Sequence, residues 1–126
     1  MDLRTPLSKV RGLGSAKDGT HHWWMQRVTA IANLPLIIFL LLFIVFNARA
    51  SHAELAASLG SPFMSVLLLL AVLSVTWHMR LGMQVVIEDY VNSEGKKMLA
   101  LMANTFFCVA IAVASGFAIL KLGFGA

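Results

Sequence analysis

A chain of 126 residues that is 59% hydrophobic and only 13% charged lies far from the roughly 25% charged content of soluble domains, so lipid is its expected solvent. Three long apolar runs take up most of that length and exclude a soluble catalytic domain; any chemistry must belong to groups inside a helix bundle or at its rims, as in a subunit of a larger assembly. The net charge of +4 comes from basic residues gathered at one end rather than striping a surface, which points to membrane orientation and away from nucleic acid.

Residues 1–24 are polar and basic, and Pro6, Gly12, Gly14 and Gly19 interrupt them, so they read as an irregular arm on the membrane surface. The remainder, 25–126, reads as a single three-helix transmembrane domain. Trp23 and Trp24 close the arm where headgroups meet hydrocarbon, a depth at which indole buries its ring and keeps its N–H wet. The first span covers about 27–47, with Pro35 near its start implying a mild kink. A loop at 48–61, carrying Arg49, His52 and Glu54, should face water on the far side. The second span covers about 62–89 and opens on Pro62, suited to a first helical turn. A short return at 91–97 leads to the third span, about 98–120. Its Cys108 has no partner in the sequence and reads as a small hydrophobe. The expected fold is an all-α membrane protein of three transmembrane helices.

Lysine and arginine collect on the cytoplasmic side of membrane proteins. Arg4, Lys9, Arg11, Lys17, Arg27, Lys96 and Lys97 fall on one side of this bundle, Arg49 and Lys121 on the other. The amino terminus is expected inside and the carboxyl terminus outside.

An ionisable side chain within a span costs at least about 2.5 kcal/mol at a helix centre for arginine, so each one needs a reason. His78 suits either an interhelical hydrogen bond or ligation of a metal. At 100° per residue Ser74 and Gly82 lie within about 40° of it, one turn to either side, leaving a flat slot that a porphyrin plane can approach. Val75, Ala71 and Val85 lie towards the same face. A six-coordinate haem needs a second axial group, and no other histidine lies at a matching depth: His21 and His22 belong to the arm, His52 to the far loop. The second ligand must therefore come from another polypeptide.

Asp89 and Tyr90 end the second span about 18 Å along the axis from His78. A phenol beside a carboxylate at a membrane rim can hydrogen-bond a quinone carbonyl and deliver protons, or simply belong to the interfacial aromatic belt. Arg27, at the same rim, can pair with a haem propionate, a quinone oxygen or lipid phosphate. Arg80 points about 160° away from His78, fit for snorkelling or for another helix. Asn33 and Gln84 read as packing hydrogen bonds.

Arg27-Val28-Thr29-Ala30 at the start of span one, with the spacing His78-x3-Gly82-x6-Asp89-Tyr90 in span two, resembles the succinate dehydrogenase hydrophobic membrane anchor subunit family. The stretch from Thr5 to Trp24, with Arg11-Gly12-Leu13-Gly14 and His21-His22-Trp23-Trp24, is similar to bacterial and mitochondrial-type members. The resemblance implies half of a heterodimeric haem-binding helix bundle in a bacterial or mitochondrial inner membrane. His78 would ligate haem b, with the other axial ligand from a companion cytochrome b anchor subunit. Tyr90 would hydrogen-bond ubiquinone beside Asp89, and Arg27 would approach the haem propionates or the quinone pocket. The chain itself would be non-catalytic: in the family a flavoprotein subunit oxidises succinate to fumarate, an iron-sulfur subunit relays the electrons, and the anchor pair presents ubiquinone. The resemblance assigns no role to His21 and His22; contact with the iron-sulfur subunit is the hypothesis for them. The competing reading is a haem-free, purely structural membrane anchor whose polar residues only pack helices.

Overall fold

The computed structural model describes residues 5–12 and 18–125, and within them every regular element is helical. Arg4, Gly14 and Lys17, on which the reading of the arm and of its charge partly rests, lie outside the described residues. A short helix α1 (Pro6–Val10) precedes α2 (Asp18–Phe46), α3 (His52–Leu59), α4 (Pro62–Tyr90) and α5 (Glu94–Gly123). Helices α2, α4 and α5 contain 29, 29 and 30 residues. At a rise of about 1.5 Å per residue each exceeds the roughly 30 Å of a hydrocarbon core. All three are apolar enough to cross a membrane.

The arm is not irregular throughout. Helix α2 begins at Asp18 and takes in Gly19, His21, His22, Trp23 and Trp24 before the expected start at Arg27. A helical glycine costs only about 1 kcal/mol, and here tertiary contact offsets it: His21, His22 and Met25 line one small cavity with Trp77, Arg80, Leu81 and Gln84 of α4. The helix also continues through Pro35.

The far-side loop contains a helix too. Ser51 Oγ accepts from the Glu54 amide at 3.3 Å, and the Glu54 carboxylate accepts from the Ser51 amide at 2.8 Å, a reciprocal capping box that starts α3. Ser61 caps α4 by accepting from the Met64 amide, with Pro62 in the first turn. Helix α5 starts at Glu94, in the expected return loop, after Ser93.

Helix α4 is central. It packs α2 on one side and α5 on the other, while the backbones of α2 and α5 stay apart among the described residues, and α3 lies against the ends of α4 and α5. The sequence permits two-sided packing because Thr76 and Ile87, both buried, stand about 160° to 180° around α4 from His78. Near α3 the backbones come close: a Cβ on Gly60 would sit 2.7 Å from the Leu122 carbonyl oxygen, and one on Gly123 would sit 2.8 Å from Ser65 Oγ. Few apolar side chains are buried within the chain, Ala71, Leu81, Cys108 and Ile119 among them, whereas Ile31, Leu34, Phe106 and Phe117 are exposed. Such surface is stable against acyl chains or neighbouring transmembrane helices, which are as apolar as leucine.

Candidate functional site

Antiparallel pairing of α2 and α4 brings Thr29 level with His78. Thr29 is buried, and its Oγ1 lies 3.0 Å from His78 Nδ1. The same hydroxyl lies 2.8 Å from the Met25 carbonyl oxygen and 3.2 Å from that of Gln26, one turn back along α2. Ser74 Oγ, one turn before His78 on α4, donates to the Thr29 carbonyl at 3.4 Å. The imidazole is thus fixed through Nδ1, its single hydrogen bond among the described residues.

The two small residues flanking His78 differ in setting. Ser74 uses its hydroxyl against α2, whereas a Cβ built on Gly82 would meet no atom within 4 Å. Space is therefore open at Gly82, one turn after His78. Among the described residues no three histidine, cysteine or acidic side chains cluster to hold a metal.

Arg80 faces α5, as its position on the helical wheel requires. Its Nε donates to Thr105 Oγ1 at 3.3 Å, its carbonyl accepts from Asn104 Nδ2 at 3.0 Å, and its guanidinium lies 5.7 Å from the centre of the Trp77 ring. Buried Cys108 follows one turn later, with Sγ 3.5 Å from Asn104 Oδ1. Between α2 and α5, over α4, runs an apolar groove of about 790 Å³ lined by Val28, Ala32, Leu70, Leu73, Trp77 and Val109, among others.

Two expected packing bonds take other forms. Gln84 Nε2 donates to Glu88 within α4 at 2.8 Å, because the side chains meet at the i, i+4 spacing before either reaches another helix. Asn33 is buried, but its Oδ1 has no partner among the described residues, and His22 Nε2 is likewise buried without a partner among them.

Asp89 and Tyr90 occupy the last turn of α4, before the cap at Val91, and both are exposed; Tyr90 retains 81% of its accessible surface. Arg27 is exposed on α2 with its guanidinium 5.4 Å from the centre of the Trp23 ring, a cation–π contact. The structure therefore joins His78, Ser74 and the unforeseen Thr29 in one cluster. Tyr90 and Asp89 stand apart from it at the rim, whereas Arg27, two residues before Thr29 on α2, lies near the depth of His78 and not at the rim expected for it, because α2 runs on for more than two turns before it.

Three helices apolar enough to span a membrane, with an imidazole held between α2 and α4 and an arginine held between α4 and α5, define a multi-pass membrane protein. The profile of the succinate dehydrogenase/fumarate reductase transmembrane subunit family matches residues 1–112. The chain is 36% identical over 113 residues to the succinate dehydrogenase hydrophobic membrane anchor subunit of Rickettsia bellii (strain RML369-C), covering 90% of each chain. It is 34% identical over 125 residues to that of Paracoccus denitrificans, covering 97% of this chain and 94% of the relative. A succinate dehydrogenase membrane anchor subunit of Reclinomonas americana is 33% identical over 88 residues, 68% of this chain and 73% of its own. The chain belongs to this family, as a succinate dehydrogenase membrane anchor subunit.

Proposed function

We propose that the chain anchors a succinate:ubiquinone oxidoreductase in an inner membrane, holds one face of a b-type haem through His78, and contributes Tyr90 and Asp89 to a ubiquinone site. The observation that carries this reading is the environment of His78. An imidazole within a spanning helix is fixed through Nδ1, makes no hydrogen bond through Nε2 among the described residues, and has an open glycine one turn on. Those features fit a haem. His78 Nε2 would meet the iron, and Gly82 would leave room for the macrocycle. One axial ligand from this chain requires the other from a companion cytochrome b anchor subunit, which would also cover part of the exposed apolar surface. When bound, haem supplies a one-electron store between the soluble iron-sulfur subunit and the quinone.

Tyr90 would donate its phenolic hydrogen to a ubiquinone carbonyl, with Asp89 beside it to pass protons to the rim. Arg27, two residues from Thr29 on α2 and so near the depth of His78, would meet a propionate or the edge of the quinone pocket. The flavoprotein and iron-sulfur subunits would dock at the Tyr90 end, on the cytoplasmic or matrix side, where the basic residues favour placing the amino terminus. The rival reading, a haem-free structural anchor, draws on the same contact, because the Thr29–His78 bond also ties α2 to α4. A reduced-minus-oxidised visible spectrum of the purified complex separates the two: a b-type band that His78→Ala removes supports haem ligation, and a colourless anchor leaves only the structural role.

A further inference from the structure

Proton counting at one hydroxyl sets the state of His78. Thr29 Oγ1 has one hydrogen to give and lies near three polar atoms: the Met25 carbonyl oxygen at 2.8 Å, the Gln26 carbonyl oxygen at 3.2 Å and His78 Nδ1 at 3.0 Å. Carbonyl oxygens only accept. If the hydroxyl gave its hydrogen to Nδ1, its oxygen would stand 2.8 Å from the Met25 carbonyl with no proton between two acceptors. If the hydrogen goes to Met25, the oxygen is free to accept from Nδ1–H, and both short approaches then hold a proton, with the longer one to Gln26 sharing the hydroxyl hydrogen. The second arrangement also suits the buried position of Thr29, where an unmet polar contact costs about 1–3 kcal/mol.

We infer that Thr29 is a positioning residue for the haem iron, holding the proton of His78 on Nδ1 and so directing the Nε2 lone pair at the metal. The proposal rests on the reading of His78 as an axial ligand and adds what selects its ring nitrogen and orientation. Three further contacts make Thr29 a rigid acceptor. Its hydroxyl is locked against the preceding turn of α2, its carbonyl accepts from Ser74 of α4, and its side chain is buried between the helices. An acceptor at Nδ1–H also makes the imidazole a stronger donor to the metal, which favours the ferric state.

The test uses the complete complex carrying Thr29→Val, Thr29→Ser or His78→Ala, each checked for assembly. Two properties of the haem are read, its midpoint potential and the g-values of its low-spin ferric EPR signal. Thr29→Val keeps the shape but removes the acceptor, and should raise the potential and shift the largest g-value; Thr29→Ser restores an acceptor and should return both towards wild type. Should Thr29→Val not assemble, Thr29→Ala is read against Thr29→Ser in the same way. Wild-type potential and g-values in an assembled variant without the hydroxyl would overturn the role of Thr29 while leaving His78 as ligand. Failure of both the valine and alanine variants to assemble would assign the hydroxyl to helix packing and also overturn it. A haem spectrum untouched by His78→Ala would remove the ligand reading itself, and this proposal with it.

Discussion

Asn104 of α5 donates a hydrogen bond of 3.0 Å to the backbone carbonyl of Arg80 on α4, next to the 3.3 Å bond from Arg80 Nε to Thr105. An arginine within a spanning helix is thereby turned away from the His78 face and held by polar groups of α5. Asn104→Leu should weaken the α4–α5 pair by about 0.6–1.7 kcal/mol, the range for single interhelical hydrogen bonds in membranes. The check is the thermal unfolding of the detergent-solubilised complex. Its visible spectrum should be unchanged, because Asn104 touches the side of α4 remote from His78.

Gly60→Ala should destabilise the far end of the bundle by about 1–3 kcal/mol, as overpacking does. The added Cβ would lie 2.7 Å from the Leu122 carbonyl oxygen, a backbone atom that cannot turn aside. Gly95→Ala is the control: a Cβ there meets nothing within 4 Å, in the first turn of α5, and the change should be neutral or slightly stabilising. Differential scanning of the two variants beside wild type would decide; equal melting temperatures would argue against the close approach.

The Glu54 carboxyl is held below its ordinary value of 4.5, first by the hydrogen bond from the Ser51 amide and then by that from the Ser51 hydroxyl. A depressed folded-state value means the capping box stabilises α3 fully above the ordinary value and loses that contribution as pH falls through the lower folded one. Amide exchange in α3, as a ratio of wild type to Glu54→Gln, should show extra wild-type protection at neutral pH that disappears in acid. A ratio constant with pH would contradict this sign.

What the sequence made legible follows from how strongly each feature is dictated. Three apolar runs leave little choice but three spanning helices, and 100° per residue was enough to turn Arg80 away from His78 and towards another helix. Helix α2 starts earlier than the glycine-rich leader suggests because contact with Trp77, Arg80 and Leu81 outweighs local propensity. Helix α3 announced itself in Ser51-His52-Ala53-Glu54, a capping-box pattern hidden in a stretch that looked like a polar loop. In the sequence Thr29 stands out only as part of the Arg27-Val28-Thr29-Ala30 motif. Its meeting with His78 depends on the relative height of two antiparallel helices, which a single sequence does not encode by spacing. The same ignorance of register made Asn33 a packing bond on paper, where the structure leaves its amide oxygen without a partner.

Tyr90→Phe removes one hydroxyl from a residue that makes no hydrogen bond among the described residues and is 81% exposed, so the fold should not change. If Tyr90 donates to ubiquinone, succinate:quinone activity should fall at least about tenfold, the worth of about 1.4 kcal/mol in one hydrogen bond. Succinate-driven reduction of an artificial dye by the soluble subunits should persist. Steady-state assays with both acceptors provide the check, and unaltered quinone kinetics would take Tyr90 out of the site.

The haem assignment is tested most directly by the reduced-minus-oxidised visible spectrum of the solubilised complex, wild type against His78→Ala, after both are shown to contain all their subunits. Ligation by His78 predicts that the b-type band is lost or displaced in the assembled variant. A band identical in position and intensity would contradict it, leaving His78 as a polar tie between α2 and α4 and the chain as a membrane anchor alone.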